Sequence, residues 1–430
     1  MRWLLLLGLA VLSLWLLLHS LPGLAQSSFG TRLKPPVAVA ANPYVPHVPP
    51  RAIAYQRSSY VLGLLGLFWH LLGLWILLPT GLSVRVRSFL YRRLRLPETT
   101  ACPPPFRIVA AYLLFYALFL LCWMLPFRMA GVLLEAHFGF SRENLGDFIG
   151  DMARDTLFGL VVIPLYWGGY WLYARSPRRW WLWLWMILIP LLLFQFVLYP
   201  VLIAPAYNRF TPLPPGPLRT KILALAGRAG ITGARVFVED TSRRTTHVNA
   251  YVTGIGPTTR IVLNDTALQS LPEKELLGML AHEMGHYVEG HSWVNFAANV
   301  VGSGIFFWLA SRLLPWEIRR WGDRWRLHGI CDIAALPVIL LTIRLFLLVQ
   351  DPLSNTLSRT LEHRADAFAL RLTGDGDSLA RLFVRFAEID YSDPNPPAIL
   401  QFWFGTHPTL SQRIAFALHY RAAATSIPKR

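Results

Sequence analysis

Residues 281–291 read AHEMGHYVEGH and run directly into an apolar stretch, 292–314, long enough to cross a bilayer. His282 and His286 lie four residues apart, so on a helix they project from one face, one turn apart, and can share a metal ion. Glu283 lies beside them, where a carboxylate can take the proton of a water that zinc has acidified to a pKa of about 7. Without a metal, the same residues are helix histidines with polar partners. The metal reading requires three protein ligands and an open fourth position, so one ligand remains to be found.

His291 is the nearest candidate and the wrong one. Five residues turn it about 140° away from His286 on a continuing helix. Glu289 keeps the right face, yet lies about 7.5 Å along the axis from the midpoint of the two histidines. A metzincin would carry Gly at 289 and His at 292, where this chain has Glu289 and Ser292. His291 therefore reads as a residue at the helix end with no part in the site. Far downstream, SRTLEHRADAFAL (358–370) offers Glu362 and Asp366, again four apart. Alone, the pair reads as a solvated acidic helix face. Beside the first motif, Glu362 can bind zinc, while Asp366 can accept the free ring N–H of a liganding histidine and fix its orientation.

The two motifs are separated by membrane. The chain has 430 residues, 54% of them hydrophobic, which argues against a single soluble globule. Apolar runs of spanning length lie at 60–79, 108–125, 156–173, 180–204, 292–314 and 334–351, with a shorter one from Trp3 to Leu18. That first run leads into SLPGLAQ, so 1–25 is either a signal peptide cleaved after Ala25 or a first membrane helix. The net charge of +17 is no nucleic-acid footprint, because the arginines cluster in short loops between runs, at 80–107, 174–179 and 315–333. With one crossing per run these loops share one side, and the positive-inside rule makes that side the cytoplasm. Cys102, Cys122 and Cys331 are scattered and imply neither a disulfide framework nor a cysteine metal site.

The expected organisation is a leader or helix at 1–25, an irregular loop and membrane helices over 26–204, a catalytic domain at 205–291, two membrane helices over 292–351, and C-terminal helices at 352–430. The loop is the Pro-, Ala- and Ser-rich stretch 26–55. Within the catalytic domain, PLRTKILALAGRAGI predicts a helix, ARVFVED, VNAYVTG and RIVLND predict strands, and GIGPTT predicts the turn between the last two. PEKELLGMLAHEMGHYVEGH predicts the metal-binding helix, with acidic residues at its positive end. Residues 354–386 and 408–423 read as further helices. His70 and Arg344 fall within membrane runs and read as lining a cavity, with a packed histidine holding a local partner as the other reading of His70.

SRRTTHVNAYVTGIGPTTRIVLNDTAL, AHEMGHYVEGH, SRTLEHRADAFAL and THPTLSQRI occur in that order, and together the chain resembles the type I CAAX prenyl endopeptidases, integral-membrane zinc metallopeptidases. The resemblance spans roughly 205–415. It implies a mainly α, polytopic fold of about seven transmembrane helices enclosing a water-filled chamber, with a small α+β zincin-like domain and a short sheet. It implies one zinc ion per chain on His282, His286 and Glu362, Glu283 as general base and Asp366 behind a ligand. Asn249 and Ala250 match the family's edge-strand signature, where an extended peptide is held by backbone pairing. His407 and Arg413 match the pair that stabilises the developing oxyanion. The implied partners are a peptide or protein substrate and the lipid bilayer, with no nucleic acid.

Nothing in the sequence reads a prenyl group, and the signal-like start suggests a bacterial inner-membrane host, so trimming of membrane or exported peptides is the broader expectation. The arginine loops predict an extracytoplasmic catalytic face, whereas eukaryotic relatives present theirs to the cytosol. The rival reading is a catalytically idle membrane scaffold that binds extended peptides along the Asn249 strand.

Overall fold

The computed structural model describes residues 42–98, 101–198 and 203–425. The leader or first helix at 1–25 lies outside them. Among the described residues five helices are long and apolar enough to cross a membrane: Pro50–Ile76 (α1), Phe106–Phe138 (α3), the pair Leu145–Gly159 (α4) and Val162–Arg175 (α5) taken as one span, His291–Trp325 (α10), and the helix containing Leu336–Thr373 (α11). Trp180–Leu198 (α6) is apolar but shorter. Leu82–Arg93 (α2) is a short basic helix between α1 and α3. The chain is thus a mainly α, polytopic membrane protein, and these helices carry large exposed apolar side chains such as Phe68, Phe194 and Val349.

Between 205 and 291 the helices and strands form as expected in outline. Pro217–Arg228 (α7), Arg235–Glu239 (β2), Ala250–Thr253 (β3), Arg260–Asn264 (β4), Asp265–Ser270 (α8) and Glu273–Val288 (α9) follow in order, and a strand the sequence reading missed, Phe210–Pro212 (β1), precedes them. The sheet order is β1-β2-β4-β3, with β2 and β4 parallel and both outer strands antiparallel. Leu263 and Ile261 of β4, Leu280 and Met284 of α9, and Phe383 of Gly376–Ile389 (α12) are fully buried in one core. Ala398–Phe404 (α13) and Leu410–Thr425 (α14) complete the chain.

Three expectations change. Residues 334–351 and the region from 354 belong to a single helix, α11, which runs through Pro352 and ends only at Gly374, whose φ of 67° a side chain would resist. Its 38 residues reach about 57 Å at 1.5 Å per residue, well beyond a hydrocarbon core of about 30 Å. A membrane helix therefore carries Glu362 directly to the region of the sheet and α9. Second, helix α1 begins at Pro50, inside the stretch read as loop, because Pro50 is pre-set for a helical first turn. Third, Cys102 and Cys331 are joined in a disulfide, with Cα atoms 5.4 Å apart. Their sequence separation hid this proximity. The bond pins the α2–α3 loop to the α10–α11 loop, where buried Arg87 also pairs with Asp332.

Candidate metal centre

Helix α9 is one wall of the site. Gly290, at φ 68°, ends the turn after it and starts α10 at His291, so the metal motif is separated from the membrane run by a sharp break. Gly285 permits the other wall: a Cβ there would lie 3.0 Å from Phe368 Cβ and 3.2 Å from Ala365 Cα, so only a glycine lets α11 come this close. The close approach brings Glu362 to the two histidines.

The Nε2 atoms of His282 and His286 face one another at 3.0 Å. Glu362 closes the triangle, its Oε2 3.2 Å from His282 Nε2 and its Oε1 3.3 Å from His286 Nε2. One donor atom from each of the three residues lies within 4.8 Å of the others. Glu362 Oε2 is buried with no hydrogen-bond donor aligned to it. Two imidazole nitrogens and an orphaned carboxylate oxygen converging on one point fit a cation, and the N2O donor set fits zinc.

Each histidine is held from behind, by different means. His282 Nδ1 lies 2.8 Å from Asp366 Oδ1, and Asp366 receives two hydrogen bonds from Arg413, at 2.8 and 2.7 Å. Asp366 and Arg413 are buried, and the guanidinium stacks over Phe383 at 4.1 Å. His286 Nδ1 lies 2.9 Å from Nδ1 of His291, whose Nε2 is 3.3 Å from Glu289. Glu289 in turn pairs with Arg364 and Arg371 of α11, at 2.9 and 3.1 Å. His291 is therefore no bystander. The 140° rotation that removes it from the ligand set applies to a continuous helix, and the break at Gly290 folds the residue back behind His286.

Burial works against a charge on His282, but the Asp366 and Glu362 carboxylates outweigh it and raise its pKa to about 9 in the metal-free protein. For Glu283 burial dominates and raises the carboxyl above its usual range, with the neighbouring histidines opposing it. His407 reaches the same centre, its Nε2 3.3 Å from Glu362 Oε2, with Thr406 on its other nitrogen. Arg413 lies deeper, and its contacts are to Asp366, His282 and, at 3.8 Å, Glu362. Ala250 pairs with Leu263 of β4, Asn249 accepts from Asn264 N–H through its carbonyl, and the far edge of β3 pairs with no strand among the described residues. Helix α9, which carries the metal motif, packs against β3.

Sequence comparison matches residues 212–421 to peptidase family M48 and residues 35–209 to the N-terminal region of CAAX prenyl proteases, described as five membrane helices. An uncharacterized metalloprotease, YhfN, of Bacillus subtilis (strain 168) is 31% identical over 80% of this chain and 79% of its own. CAAX prenyl protease 1 homolog of Arabidopsis thaliana is 31% identical over 67% and 68%, and CAAX prenyl protease 1 of Saccharomyces cerevisiae 32% identical over 67% and 66%. The crystal structure of S. mikatae Ste24p superposes with a TM-score of 0.76 over 96% of this chain and 97% of its own, at 21% identity.

Proposed function

We infer the function from one premise: the chain belongs to the type I CAAX prenyl protease family of M48 metallopeptidases. It is an integral-membrane metallopeptidase. The finer reading is a zinc endopeptidase that cleaves peptide bonds of membrane-associated or exported proteins inside a chamber enclosed by the helices. The convergence of His282, His286 and Glu362 beside Glu283 carries it. Those three residues would hold one zinc ion, which supplies Lewis acidity to a water and to the scissile carbonyl. Glu283 takes the proton of the attacking water and delivers it to the leaving amine. An extended peptide pairs with the free edge of β3 at Asn249 and Ala250. His407, on the open side of Glu362, faces the developing oxyanion. Arg413 acts through Asp366, a role its burial favours over direct contact with substrate.

Purified protein should carry close to one zinc per chain and cleave a reporter peptide. Glu283→Gln should keep the zinc and lose activity by roughly a thousandfold or more, as removal of a general base does. Equal turnover by wild type and variant would overturn Glu283 as the general base, and zinc-free protein with no turnover at all would leave the scaffold reading in its place.

For orientation, the arginine loops favour an extracytoplasmic catalytic face in a bacterial inner membrane. The Cys102–Cys331 bond lies on the arginine side and stands against it, because cytoplasmic thiols are kept reduced. A fusion after Arg430 that is active as alkaline phosphatase supports the extracytoplasmic face. Fluorescence from a green fusion at the same point, with Cys102 and Cys331 resistant to alkylation in intact cells, reverses it.

A further inference from the structure

The segment leading into β3 is tied to the membrane helices by a cluster that the reaction as described leaves unused. His247 precedes Asn249 by two residues. Its Nε2 is 3.2 Å from Glu135 Oε2 in the last turns of α3, and its Nδ1 is 3.1 Å from Asp390 Oδ1 at the end of α12. The other Glu135 oxygen accepts from the Tyr55 hydroxyl of α1 at 2.6 Å. The imidazole stacks on Phe140, with centroids 4.6 Å apart and planes 17° from parallel, and Phe140 is fully buried against Tyr55 and Tyr391. Backbone bonds run alongside: Arg142 N–H donates to Arg244 O, and Thr246 N–H donates to Phe140 O. The Thr266 hydroxyl donates to His247 O at 2.8 Å, tying the same residue to the sheet side.

An imidazole with a carboxylate on each nitrogen can satisfy both only as the cation. The neutral ring has one N–H and one lone pair, and the lone pair would face an anion. Burial opposes the charge, but the hydrogen bonds the ring donates to Asp390 and Glu135 outweigh it and raise the His247 pKa to about 9. The groups that face the ring are Glu135 from α3, Asp390 from α12 and, through Glu135, Tyr55 from α1.

We propose that His247 is a positioning residue for the peptide-binding edge: bridging Glu135 and Asp390, it clamps the lead-in of β3 to the membrane bundle and sets where Asn249 and Ala250 meet an extended substrate. The proposal rests on the reading of β3 as that edge. The zinc ligands stand on α9 and α11, outside the clamp, so its loss weakens substrate binding and spares the chemistry. The folded pKa lies above the free value, so the clamp is complete below about pH 6.5. It is lost as pH rises through about 9.

The test uses full-length protein in lipid nanodiscs. Hydrogen exchange of the 248–253 amides is followed near neutral pH, with kcat and KM on a quenched-fluorescence peptide from about pH 6 to about pH 10. Glutamine keeps the bulk of His247 but satisfies one carboxylate at most. In His247→Gln those amides should exchange about tenfold faster, the loss of one charge-assisted hydrogen bond. KM should rise by a similar factor, flat with pH, while kcat changes less than about twofold. Wild type should show the same KM rise only on crossing to alkaline pH, and Asp390→Asn should move that rise down toward about 6.5. Asp390→Asn also serves as the second variant if His247→Gln fails to fold. Unchanged exchange and an unchanged KM–pH profile in a folded variant overturn the clamp. Faster exchange with an unchanged KM keeps the clamp and discards β3 as the substrate edge.

Discussion

The two histidines of α9 face one centre with the same atom, yet their far sides are built differently. His282 leans on a carboxylate that is itself buried and paired with a buried arginine. His286 leans on a second imidazole, and only then on a carboxylate, Glu289, held by two exposed arginines. The first flank is a short, buried, charged stack. The second is a longer relay ending in water. Burial decides how much a deletion costs, because a charge left unpaired in the interior cannot be hydrated.

Deletions on each flank should therefore separate. Asp366→Ala should be the most damaging, since it frees the His282 tautomer and strands Arg413. A loss of about 3–5 kcal/mol in stability is expected, together with a metal affinity at least about a hundredfold weaker. Thermal unfolding and zinc competition against a chelator would measure the two, and a cost below 1 kcal/mol would mean that water reaches the stack. His291→Ala should weaken zinc by about 10–100-fold with little change in the stability of the metal-free protein. His291→Gln, whose amide oxygen can accept from His286, should recover most of it. If His291→Ala binds zinc as tightly as wild type, the relay on the second flank is only packing.

The next effect is protonic. The metal-free His282 holds its proton up to a pKa of about 9, so zinc must displace it at neutral pH. Apparent zinc affinity should rise about tenfold per unit of pH until that value and then level, with about one proton released per ion, which calorimetry in buffers of different ionisation enthalpy would count. The sign for folding is opposite: the raised pKa makes the contribution of the His282 contacts to the metal-free protein fullest below about pH 6.5. It fades as pH rises through about 9. Removing Arg371 should matter least, since its side chain is 58% exposed. A surface pair contributes under about 1 kcal/mol, so Arg371→Ala should shift zinc affinity by less than about threefold.

The candidate ligands were legible in the sequence because helical spacing is a local property. His282, Glu283 and His286 announce their geometry within five residues, as do Glu362 and Asp366. The β2, β3 and β4 strands were legible for the same reason, through alternation and turn residues. What stayed hidden depended on breaks and on distant neighbours. A helical wheel carried past Gly290 gave the wrong direction for His291. The end of the apolar run at 351 and the polar residues beyond it suggested two helices where α11 is one, because a helix can continue past the apolar stretch, here through Pro352, and polarity alone does not mark its end. The three-residue β1 is too short to carry a periodic signal.

The sequence by itself determined that this is a membrane protein, that its metal motif stands at the entry to a membrane helix, and which residues are candidates for the chemistry: apolar length and residue spacing act over a few turns and need no partner. Only the tertiary structure decided that Glu362 arrives on the continuation of a membrane helix, that Gly285 lets it come close enough, that Cys102 meets Cys331, and that His247 and His291 serve carboxylates from other elements. Those contacts join residues from 2 to 229 positions apart. Distance along the chain says nothing about them until packing has brought the helices together.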